Sequence, residues 1–175
     1  SPSSVSRGLQ RGHYTVYRES KEALGQYLLN VHDCPESAGR IGRYNRAAIL
    51  RQSHRPADAL DILRELLQTA SDTDAPPSRS DIVHLLGECY LDLLQYKEAA
   101  NLVEAFLDPA EAPSLPRVTA AQLHNQLGHA YLGLSKNAAD AHDGQAAKRY
   151  ADQAVAVLTK ALRGTGDDLF LHAQV

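Results

Sequence analysis

No methionine occurs anywhere in the 175 residues, which leads to the expectation that the chain is a piece of a longer protein. Cysteine is nearly as scarce. Cys34 and Cys89 are the only two, too few for a disulfide framework, so the chain reads as intracellular with reduced thiols. No apolar run approaches the roughly 18 residues that a membrane span requires. The opening Ser-Pro-Ser-Ser has no apolar stretch behind it to make a signal peptide. A basic excess is missing too: 18 Lys and Arg against 21 Asp and Glu leave a formal charge of −3, whereas a dedicated nucleic-acid binder usually carries a clear positive surplus. β-branched residues never alternate with polar ones over a useful length, so strands are not expected.

What remains is helical. Polar or proline-containing stretches at 1–8, 70–80, 108–116, 135–145 and 164–168 separate segments rich in Ala, Leu, Glu, Gln and Arg, the strong helix formers. Apolar residues within them recur at three and four, as in Ile62, Leu63, Leu66 and Leu67. The pattern predicts an all-α protein, with helices near 9–18, 20–33, 40–53, 56–69, 79–94, 96–107, 116–135 and 146–163, and another beginning at 167. Residues 1–8 read as a flexible segment and 9–175 as one helical domain. Local chemistry supports several starts: proline at a first helical position in Arg55-Pro56, a capping box from Ser78 to Asp81, and Ser114 with Pro116 after a loop.

The helices come in pairs, and the pairs repeat. Leu86-Gly87-x-x-Tyr90 is followed by Tyr96-x-x-Ala99, Val103 and Phe106-Leu107. Leu127-Gly128-x-x-Tyr131 is followed by Ala154, Leu158 and Ala161-Leu162, and Asn45, Ala47 and Leu50 by Ala59, Leu63 and Leu66-Leu67. The small residues of the two helices stand 12 apart from Ala47 to Ala59 and from Gly87 to Ala99, but 26 apart from Gly128 to Ala154. The third unit therefore carries 14 extra residues, expected as a connection around 135–148. Small residues let two helix backbones approach closely, so Gly87 and Gly128 are expected at tight helix contacts.

These strings resemble the tetratricopeptide repeat, a helix–turn–helix unit, over about 40–163. A weaker unit is suggested by Lys21-Glu22-Ala23-Leu24 with Tyr27. The chain departs from that family's pattern at Arg46, where a leucine is expected. The resemblance implies an α-α superhelix, a short solenoid of antiparallel pairs whose first helices line a concave binding surface. On that frame the partner-binding groove comprises Tyr44 and Arg51, then His84 and Glu88, then Asn125 and His129. Tyr44 serves as an aromatic anchor and Arg51 as a forked donor. One subclass of the family grips acidic C-terminal tails of chaperones with a clamp of Lys, Asn and Arg. The matching places here hold Tyr44, Ala48, Leu85, Gln122 and Gln126, none of them cationic, so that role is not expected. Arg64 and Lys97, on second helices, mark the opposite face as the competing partner surface.

The same residues bear on chemistry beyond binding. His84, Glu88 and His129 could meet a divalent ion, yet no His-Glu-x-x-His string, cysteine pair or phosphate loop accompanies them. The plain reading is a hydrated groove with an intrahelical His84–Glu88 hydrogen bond, no cofactor, and no enzyme. Arg40, Arg43, Arg46, Arg51 and Arg55 give one helix five positive charges, a stripe able to grip RNA phosphates. Asp58, Asp61 and Glu65 on the next helix are placed to neutralise part of it, so RNA ranks second to a protein partner.

A closer resemblance enters at Tyr44-Asn45-Arg46-Ala47-Ala48-Ile49-Leu50, followed by Pro56-Ala57-Asp58-Ala59-Leu60. These strings are similar to the start of the tetratricopeptide region in the subunit-ten family of the CCR–NOT messenger-RNA deadenylase complex. Tyr96–Leu107 is similar to that family's second pair, and Asp168-Leu169-Phe170-Leu171 to a later helix start. The resemblance implies a non-catalytic cytoplasmic scaffold in mRNA turnover, which binds subunit eleven and docks on the large NOT scaffold protein. The apolar Leu169, Phe170 and Leu171 lead to the expectation that the native chain continues past Val175. Residues 167–175 are expected either to fold back on the last pair or to pack on a second molecule.

Overall fold

The computed structural model describes residues 39–70, 76–108 and 115–171, with 164–171 described as backbone only. Six helices occupy them: α1 Gly39–Gln52, α2 Pro56–Thr69, α3 Arg79–Asp92, α4 Tyr96–Leu107, α5 Arg117–Asp140 and α6 Gly144–Leu171. No strand occurs among the described residues, and the class is all-α. The segment 1–8 and the helices expected at 9–18 and 20–33 lie outside the described residues.

Local chemistry explains the starts. Pro56 opens α2, where its missing N–H costs nothing because the first turn leaves that donor unused. Ser78 caps α3: its Oγ accepts from the Asp81 amide at 3.2 Å, and Asp81 Oδ2 accepts from the Ser78 amide at 2.8 Å. Two of the four donors that a helix start orphans are thereby satisfied.

All three connections within pairs are the same three-residue turn. Its middle residue is left-handed in each: His54 at φ 58°, Leu94 at 59° and His142 at 59°. The next amide bonds back to the carbonyl five residues earlier, Arg55 to Leu50, Gln95 to Tyr90 and Asp143 to Ala138. The left-handed residue's own amide bonds to Arg51, Leu91 and Ala139. This double bond is the Schellman arrangement, which consumes the last carbonyls of the first helix and turns the chain back against it.

The third pair corrects two sequence expectations. Residues 135–145 are not a loop. α3 ends five residues after Gly87 but α5 twelve after Gly128, and α4 starts three before Ala99 but α6 ten before Ala154. Each helix of the third pair is thus seven residues longer, close to two full turns, which keeps the same faces in register and carries the turn about 10 Å further out. Nor does the chain break at Gly164-Thr165-Gly166 to start a new helix at 167, because α6 runs on to Leu171. Each glycine costs roughly 1 kcal/mol of helix propensity, but extending an established helix adds a hydrogen bond per residue without a new nucleus. Residues 167–171 therefore do not fold back, and 172–175 lie outside the described residues.

Each helix packs on its neighbour in sequence, and α3 also touches both α1 and α5. The first helices therefore share a layer. The core divides at α3: Ile82, Leu85, Leu86 and Cys89 close on Ala47, Leu50, Ala59 and Leu63, while Val83 joins Ala99, Val103, Leu123 and Ala154. Burial repeats residue for residue over 51–68 and 91–108, forty positions apart. The two glycines sit at close contacts, as expected, though against different partners. A Cβ on Gly128 would lie 2.5 Å from Leu158 of its own pair, and one on Gly87 2.5 Å from Gln126 of the next pair.

Candidate functional site

The first-helix layer brings four of the six expected groove residues together. Tyr44 of α1 is half-buried against the first core, its hydroxyl 3.5 Å from the Asp81 carbonyl. Burial, then the charges of Asp81 and Glu88, push its phenol above the ordinary range. Arg51, about two turns further along the same helix, donates from Nε to Asp92 Oδ2 at 2.7 Å and from Nη1 to Glu88 Oε2. Burial pulls the guanidinium's pKa down, but the Asp92 hydrogen bond and both carboxylates outweigh it, so the group is held more firmly charged than usual. Arg51 is therefore committed to tying α1 to α3, and its fork is already occupied.

His84 Nε2 stands 3.9 Å from Glu88 Oε1. That distance is too long for the hydrogen bond expected within the helix. Asn125 and His129 are exposed on α5. Between them Gln126, only 3% exposed, points the other way and donates Nε2 to the His84 carbonyl at 2.8 Å. In the sequence Gln126 stands out only as a non-cationic clamp position. One repeat step back, its place is Leu85, so a polar residue at an apolar position was the available signal.

The arginine stripe is largely spent on carboxylates. Arg43 pairs with Glu65, Arg55 Nε lies 2.6 Å from Asp58 Oδ2, and Arg51 holds Glu88 and Asp92. Asp61 bonds instead to Arg64 of its own helix, at 3.4 Å. Arg64 also caps the Tyr90 ring at 5.7 Å, which ties this second-helix residue to the neighbouring pair.

At the turn end of the layer, an open cleft of about 510 Å³ is lined by Arg51, Gln52, His54, Pro56 and Asp92. Cys89 is fully buried, and burial pushes its thiol up to about 12, opposed by Arg51 and helped by Asp92 and Glu88. A thiol so held stays protonated at neutral pH and is no nucleophile. Among the described residues no three of His, Cys, Asp and Glu converge as a metal site, and no helix is long and apolar enough to cross a membrane. The first-helix layer carries exposed hydrogen-bonding groups on α5 and a fixed set of one cation and two anions on α1 and α3. Such a surface can recognise a polar partner without chemistry.

Comparison with protein-family models, with curated proteins and with solved structures found no match in any of the three.

Proposed function

We propose that the chain is a non-catalytic interaction scaffold, a short tetratricopeptide-like α-α superhelix. The observation that carries this reading is the forty-residue recurrence of burial over 51–68 and 91–108, joined to three identical turns. Stacked pairs of this kind leave one continuous layer of first helices open along its length, which is how such arrays serve as binding surfaces. The resemblance at Tyr44–Leu50 and Pro56–Leu60 extends the proposal to cytoplasmic mRNA deadenylation. On it, subunit eleven and the large NOT scaffold of the CCR–NOT complex are the protein partners. Direct RNA binding is the weaker reading, because Arg43, Arg51 and Arg55 each already hold a carboxylate. A receptor that binds a peptide or small ligand in the concave groove is a further reading, supported only by the open cleft beside Arg51.

Affinity purification from lysate, with and without nuclease, tests the proposal. A stoichiometric protein retained after nuclease treatment supports the scaffold. Retention lost with nuclease supports RNA, and elution by a short peptide supports the receptor.

A further inference from the structure

We draw no further inference here: the strongest candidate, the open cleft of about 510 Å³ at the turn end of the first-helix layer, belongs to the site already described, where the Arg51 guanidinium is already held by Glu88 and Asp92 and nothing else in the lining selects a ligand.

Discussion

Gly87 of α3 and Gln126 of α5 pack so closely that a Cβ on the glycine would stand 2.5 Å from Gln126 Oε1 and 2.8 Å from its Cδ. Gln126 Oε1 is buried without a hydrogen-bond partner, and the glycine's α-hydrogen occupies the direction a Cβ would take towards it. The pair joins the second and third helix pairs, with the Gln126 amide anchored on the His84 carbonyl.

Gly87→Ala should therefore destabilise, because displacing Gln126 costs about 1–3 kcal/mol against a helix-propensity gain of about 1 kcal/mol. In a Gln126→Ala background the same substitution should turn stabilising, with only the propensity gain left. Urea denaturation of the four proteins checks the change of sign. Gly87→Leu, which must displace Gln126, should lose about 1–3 kcal/mol in the wild-type background.

The three turns make a second prediction. A side chain in left-handed backbone costs about 1–2 kcal/mol, of which Gly recovers part after its own entropic cost. Leu94 is 67% exposed and loses little packing on truncation. Leu94→Gly should raise stability by about 0.5–1 kcal/mol, and His54→Gly and His142→Gly should share the sign. Thermal melts of the three variants check it. Leu93→Gly, at φ −88° and packed on the first core, should instead destabilise.

Alkaline pH gives a third. The Cys89 thiol titrates near 9 when unfolded and only at about 12 when folded. Between those values the folded chain keeps a proton that the unfolded chain has released, so stability must fall as pH rises. The steepest slope from this group is about 1.4 kcal/mol per pH unit. Below about pH 9 Cys89 contributes no slope. Tyr44 and Tyr131 are raised as well, Tyr131 by burial and by its bond to Glu104, so the comparison is with Cys89→Ala, whose decline from pH 9 should be shallower. Chemical denaturation at pH 8, 9 and 10 measures it.

The sequence made the helix pairs legible where propensity, caps and apolar spacing agreed. Pro56 and the Tyr96-x-x-Ala99 string placed α2 and α4 with their observed bounds. The third pair was misread because Ser135, Asn137, Asp140, Asp143 and Gly144 have loop chemistry, although Ser135 Oγ in fact donates to the Ala147 carbonyl across a helical hairpin. An insertion of 14 residues split evenly between two helices leaves no mark except that it keeps the face period. Of the groove, the sequence placed Tyr44, Arg51, His84 and Glu88 on one layer. It did not show that Arg51 and the acids 37 and 41 residues on satisfy one another, since pairing across repeats depends on the stagger of α1 against α3. The Tyr131–Glu104 bond likewise depends on how α5 lies against α4, whereas the buried Gln126 did leave a signal as a polar residue at an apolar repeat position.

That engagement also decides which residues probe the groove cleanly. Tyr44 and Arg51 hold α1 to α3, so Tyr44→Ala with Arg51→Ala would weaken the fold together with any binding. Asn125 and His129 are exposed and carry no such duty. The most direct measurement is the dissociation constant of the copurifying protein for Asn125→Arg with His129→Glu, set against Arg64→Ala with Lys97→Ala on the second helices. The scaffold account predicts at least tenfold weaker binding for the Asn125/His129 variant at an unchanged melting temperature, and unaltered binding for the Arg64/Lys97 variant. Full affinity in the first and loss in the second would contradict it, and would move the partner to the convex face.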